Sequence, residues 1–195
     1  LESQDSATVA ALRQADVPLS TTTEVAEVSP AGPSAGVLEG DDVILAGDDT
    51  LEGGAGNETV INGGTISGNV VLGAGNDIYD GTLGRLAGQA FGGLGNDIYY
   101  IADAAAAIVE QVSQGTDTVR SVVSYRLAAN FEYLYLQGTA DLNGTGNGAA
   151  NRVIGNDGNN RLFGLAGNDR VSGGSGDDLL FGGTGLDQLV GGSGE

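Results

Sequence analysis

Carboxylates and glycines are the residues through which this chain could do chemistry. Asp and Glu make up 26 of 195 residues, against seven Arg and no Lys, His, Cys, Met or Trp, for a formal net charge of −19. Without imidazole or thiol there is no Ser-His-Asp or Cys-His nucleophile and no zinc site of the His/Cys kind. What carboxylates and backbone carbonyls do well is hold a hard cation, and a chain this acidic repels nucleic-acid phosphates and anionic bilayers. The acids are also regularly spaced. In nines from Gly155 the chain reads GNDGNNRLF, GLAGNDRVS, GGSGDDLLF and GGTGLDQLV, with GNGAANRVI one unit earlier from Gly146. Position 4 holds Gly158, Gly167, Gly176 and Gly185; position 6 holds Asn151, Asn160, Asp169, Asp178 and Asp187; position 8 holds Val153, Leu162, Val171, Leu180 and Leu189. A flexible glycine linker has no reason to keep phase, so the 36 glycines mark a repeat.

The elements that must position these residues follow from the period. A short strand and a turn in each nine place two strands and two turns in eighteen residues, which is one flattened right-handed coil. Position 8 then points inward, with Leu162 and Leu180 stacked in one sheet and Val153, Val171 and Leu189 in the other. Burying one such side chain is worth about 1.5–3 kcal/mol, whereas fixing each backbone residue costs about 1–2 kcal/mol, so this thin core cannot hold the coil alone. Turns of successive coils lie about 4.8 Å apart. Asp169 therefore meets Asp187, Asn160 meets Asp178, and in the less regular earlier stretch Asp77 meets Asp97. Two such acids repel when empty. With carbonyls of Gly167, Gly176, Gly185, Gly75 and Gly95 they form an oxygen cage suited to Ca²⁺ better than to Mg²⁺. Asp49 and Glu58 take the same role in the first block; Glu58 is longer by a methylene, and Asn151 and Asn160 offer oxygen without charge, so those sites are expected to be weaker. Glu110 and Asp117 form a further candidate pair.

The texture of the chain divides it into a linker over 1–36, a first coil block over 37–100, a joint over 101–145 and a second block over 146–195 that stops within a unit and reads as truncated. In the first block INGGTISGNV and DGTLGRLAGQAF lack the full turn, which predicts one ligand edge and one degenerate edge. In the joint, ADAAAAIVEQV fits either a short helix or a strand-turn-strand. Tyr99, Tyr100, Tyr125, Phe131, Tyr133 and Tyr135 gather there, which predicts a packed joint, with a sugar-binding groove as the alternative. No stretch approaches the apolar length of a membrane span.

GGSGDDLLF and GGTGLDQLV, with GGAGNETVI and GGLGNDIYY, resemble the haemolysin-type calcium-binding repeat of RTX proteins, and the stretch from GTDTVRSVVSYRL through FEYLYLQGTADLNGTGN resembles the segment that joins such blocks. The resemblance implies an all-β parallel β-roll, Ca²⁺ as the bound ion, and a secreted, extracellular or cell-surface location reached through type I secretion machinery, with folding after release. The expected function is a calcium-binding module that supports secretion and stability of a larger protein. The alternative is a structural or adhesive surface-layer, matrix or adhesin protein. No enzyme is expected within the chain, because every clustered acid is already accounted for by the repeat. Self-assembly and a polysaccharide ligand stay open as partners.

Overall fold

The computed structural model describes residues 51–194 and the short strand Gly36–Val37. The rest of the expected linker, and Asp49, lie outside the described residues. Among the described residues every regular element is a strand, and the parallel sheets close into a solenoid of about 8 turns, the expected parallel β-roll.

One wall runs the length of the molecule. Its eight strands lie in chain order: Thr59–Ile61, Ile78–Gly81, Ile98–Ile101, Thr118–Ser121, Tyr133–Leu136, Arg152–Ile154, Arg170–Ser175 and Gln188–Ser193. Strand alternation sends every second side chain inward. The register aligns Val60, Tyr79, Tyr99, Val119, Leu134, Val153, Val171 and Leu189 in a single column. The first seven are buried, while Leu189, on the last described rung, is exposed. The facing wall is in two parts. Leu51–Glu52, Val70–Ala74, Gln89–Leu94 and Ala107–Val109 back the lower coils, and Tyr125–Arg126, Asn143–Thr145, Arg161–Ala166 and Leu179–Thr184 back the upper ones. Leu162 stacks on Leu180 in this second part, as the phase predicts.

Spacing explains a third, shorter side. Counterpart residues follow at 18 positions in the upper coils but at 19 or 20 in the lower ones. The additional residues form the paired strands Thr65–Ile66 and Arg85–Leu86, which replace the degenerate turn edge. The joint supplies rungs to the same wall, with one tight step of 15 residues between Asp117 and Glu132. Ala107–Val109 is a strand, so the two readings of ADAAAAIVEQV resolve against the helix; β-branched Ile108 is buried there. Tyr99, Tyr125 and Phe131 are core residues, Phe131 meeting Tyr99 edge-on at 5.4 Å between ring centroids. The Arg120 guanidinium lies 5.2 Å from the Tyr135 ring centre and 5.9 Å from that of Tyr100, and the Arg152 guanidinium lies 5.9 Å from the Tyr135 ring centre.

Candidate metal centre

Two residues before each member of the inward column stands Glu58, Asp77, Asp97, Asp117, Glu132, Asn151, Asp169 or Asp187. The register of the long wall therefore brings eight oxygen-bearing side chains to one edge, including two from the joint. In the lower part Asp77, Asp97, Asp117 and Glu132 each receive the backbone N–H of the counterpart one coil earlier. Glu58 donates to Asp77 Oδ1 at 2.8 Å, Asp77 to Asp97 Oδ1 at 2.8 Å, Asp97 to Asp117 Oδ1 at 2.9 Å, and Asp117 to Glu132 Oε2 at 2.7 Å. The pattern resumes above the joint, where Asn151 donates to Asp169 Oδ1 at 2.8 Å and Asp169 to Asp187 Oδ1 at 3.0 Å. Between the two runs Asn151 turns to the joint instead, its Nδ2 donating to the Phe131 carbonyl at 2.9 Å. On the opposite edge of the upper coils the Asn160 N–H reaches Asp178 Oδ1 at 2.8 Å. The three pairs read from the repeat, Asp169 with Asp187, Asn160 with Asp178 and Asp77 with Asp97, are thus neighbours on successive coils.

The second oxygen of these carboxylates decides what the edge can do. Asp77, Asp97, Asp169 and Asp178 each have a buried Oδ2 without a hydrogen-bond partner. A buried acceptor left so costs about 1–3 kcal/mol, and more when charged. In Asp97, Asp169 and Asp178 this oxygen faces the first glycine of its own turn. A β-carbon on Gly164 would lie 2.4 Å from Asp169 Oδ2 and 2.5 Å from the Gly182 carbonyl of the next coil; on Gly173 it would lie 2.2 Å from Asp178 Oδ2 and 2.3 Å from the Gly191 carbonyl. Glycine stands there to let a carboxylate and a carbonyl oxygen converge. Such a set of hard oxygen donors fits a calcium ion. Carbonyls at the fourth position run along the stack instead: Gly75 O points at the α-carbon of Gly95, and Gly167 O at that of Gly185, leaving a β-carbon 1.5 and 1.7 Å away respectively. Gly176 sits in the same way above the Gly158 carbonyl.

Three features escape the sequence reading: Glu132 as a member of the row, the position-1 carbonyls of Gly182 and Gly191, and a second ladder at position 5. In that ladder Asn57 Oδ1 accepts the Asn76 N–H at 2.7 Å, Asn76 that of Asn96 at 2.8 Å, and Asn96 that of Thr116 at 2.8 Å. In the upper coils Asn159 receives Asp177 at 2.8 Å and Asn168 receives Leu186 at 2.9 Å. Position 5 reaches up the stack while position 6 reaches down, so each turn is stapled in both directions. The recurring Gly-Asn-Asp and Gly-Asn-Glu triplets carried that signal.

Burial raises the carboxyls of Asp77 and Asp97 to about 6, and those of Glu110 and Asp117 to about 7. Asp169 is raised from the same cause. The backbone N–H that each Asp accepts only partly offsets that loss of hydration, and neighbouring acids push the same way as burial. The row therefore resists carrying its full charge without a counter-cation.

No curated protein matches the chain as a relative. The family model of the RTX calcium-binding nonapeptide repeat, in four copies, matches residues 38–64, 145–180 and 164–195. Its matches fall at both ends of the coil and cover the turns that hold Glu58, Asn151, Asn160, Asp169, Asp178 and Asp187. Over those residues the chain carries the RTX calcium-binding nonapeptide repeat, set in a parallel β-roll.

Proposed function

We propose that the chain is a calcium-driven folding module of a secreted protein, held open where calcium is scarce and closed into its coil outside the cell. The observation that carries this reading is the carboxylate edge: in Asp77, Asp97, Asp169 and Asp178 one oxygen accepts an N–H from the neighbouring coil and the other is buried without a partner, at Asp169 and Asp178 beside a carbonyl of the next coil. Calcium bound there offsets the charge of the row and adds its binding free energy to the folded state alone. Extracellular calcium modules respond at about 10⁻⁴–10⁻³ M, so the chain would pass an export channel unfolded and fold on release. Type I secretion suits such a passenger. On this reading any catalytic activity of the full protein resides outside these residues.

Circular dichroism of the chain in excess chelator, followed by calcium to a few millimolar, tests the proposal. A largely disordered spectrum with residual β-signal, which converts to full β-structure as calcium rises, is the expected result. A β spectrum that chelator leaves intact would sink it.

A further inference from the structure

At one place an acid from outside the row joins it. Glu110 follows the strand Ala107–Val109 on the facing wall and is 4% exposed. One oxygen each of Asp97, Glu110 and Asp117 lie within 4.8 Å of one another. The Tyr99 hydroxyl donates to Glu110 Oε1, and Asn130 Nδ2 donates to the Glu110 carbonyl at 2.8 Å, so side chain and backbone of Glu110 are both held. Asp97 Oδ2 and Glu110 Oε2 are buried without hydrogen-bond partners, on side chains that are themselves more than nine-tenths buried. A β-carbon on Gly92 would lie 2.2 Å from Asp97 Oδ2 and 2.2 Å from Glu110 Oε1. Both carboxylates therefore face one point, which only glycine leaves open.

Two oxygens bound to one calcium ion at about 2.3–2.6 Å can stand no more than about 5 Å apart, and on magnesium, at about 2.0–2.1 Å, no more than about 4.2 Å. Oxygens within 4.8 Å of one another fall inside the span that one calcium ion allows. We propose that Asp97, Glu110 and Asp117 form a separate three-carboxylate calcium site that ties the facing wall to the long wall. It rests on the reading that the row takes calcium, but repeat phase does not generate it. Glu110, one residue past the Val109–Phe91 pair, stands where a regular turn has its first glycine, and all three residues lie outside the segments that match the repeat. Its place in the fold gives it a structural purpose, since beside it the facing wall breaks between Val109 and Tyr125. A regular turn offers one carboxylate oxygen and a carbonyl, whereas this site offers three carboxylates. Higher ligand charge gives tighter binding, so it fills first.

Terbium, a luminescent stand-in for calcium excited through nearby tyrosine, reports on the site because the Tyr99 hydroxyl is bonded to Glu110. In the full chain the first equivalent of Tb³⁺ gives sensitised emission that calcium competes away. Glu110→Gln loses that emission and one equivalent of calcium by calorimetry, while Asp178→Asn, on the opposite edge, keeps the emission. Tyr99→Phe retains the calcium equivalent, loses most of the first-equivalent emission and weakens the first binding step about tenfold, as removal of a hydrogen bond to a metal ligand does. Unchanged stoichiometry and emission in Glu110→Gln would overturn the site while leaving the folding module intact. If that variant does not fold, undiminished first-equivalent emission from Tyr99→Phe overturns it equally. A wild-type chain that takes up no calcium at all would instead remove the proposed function beneath it.

Discussion

The lower coils take 19 or 20 residues per step and the upper coils 18. In the lower coils the added residues make a third side and enclose Ile66, Leu72, Tyr79 and Tyr99, all fully buried. The upper coils enclose Val153, Leu162 and Val171, with Leu180 only partly covered. Ligand edges go the other way. The upper coils carry a position-6 oxygen on both edges, as Asp169 and Asp187 on one and Asn160 and Asp178 on the other. The lower coils have a single described edge, but its acids Glu58, Asp77 and Asp97 are fully buried. Where the coil gains length it gains apolar core and loses a ligand edge, so the proposed dependence on calcium should differ between the two halves.

Calcium removal should expose that difference most. In chelator, amide protons of 161–193 are expected to lose hydrogen-exchange protection completely, while those of the rungs Ile78–Gly81 and Ile98–Ile101 keep part of theirs. Earlier loss of protection in the lower rungs would break the comparison. The converse test removes apolar core. Phe131 is fully buried against Tyr99, and Phe131→Ala should cost about 3–5 kcal/mol in calcium-saturated unfolding. All six tyrosines lie between Tyr79 and Tyr135 and the chain has no Trp, so the near-ultraviolet signal reports on the lower coils and joint. If that signal melts as in the wild type, calcium rather than core holds the lower half.

pH sharpens the comparison further. Asp77 and Asp97 are raised from 3.8 to about 6, Asp117 from 3.8 to about 7, and Glu110 from 4.5 to about 7. A carboxyl raised by folding binds its proton more tightly in the folded state, so its contribution to stability is fully present below the unfolded value and is lost as pH climbs through the folded one. Without calcium, tyrosine-reported melting of the lower half should therefore rise between pH 7.5 and pH 5, in the window of about 4 to 7 that these shifts define. With calcium the order reverses, because the ligands must shed protons to bind it. A calcium-free melt that falls on acidification would contradict the burial of these acids.

How much of this was legible depended on whether the chain kept phase. The upper coils repeat at 18 residues without insertion, so the stacking of Val153 on Val171 and of Leu162 on Leu180 follows from the spacing alone. In the lower coils the spacing of Glu58, Asp77 and Asp97 signalled insertions, but not that the inserted residues pair as Thr65–Ile66 and Arg85–Leu86. The joint was opaque for a physical reason. Its 15-residue step shortens one coil, and Glu132, in FEYLYL, reaches the row without any Gly-rich turn beside it. Glu110 was visible only as an acid near Asp117; its contact with Asp97 is set by the facing wall, which no local pattern encodes.

The smallest effect concerns strain confined to one turn. At the second position of the repeat Gly174, Gly183 and Gly192 have φ of 113°, 105° and 102°, and Gly73 and Gly93 in the lower coils have 108° and 106°. Leu165 occupies the same position with φ of 86°, where a β-carbon is unfavourable. Holding an L-residue in that region costs about 1–2 kcal/mol, whereas glycine gives back about 0.4–1 kcal/mol through the freedom of the unfolded chain. Leu165→Gly should therefore stabilise the calcium-saturated upper half by roughly 0.5–1 kcal/mol. The reverse change, Gly183→Leu, should destabilise it by more, because its β-carbon would meet the Leu165 carbonyl oxygen at 1.9 Å. Denaturant unfolding followed by exchange of upper-coil amides measures both. If Leu165→Gly weakens the upper coils, the half-buried leucine side chain contributes more by packing than its backbone loses by strain, and their core is less thin than the comparison holds.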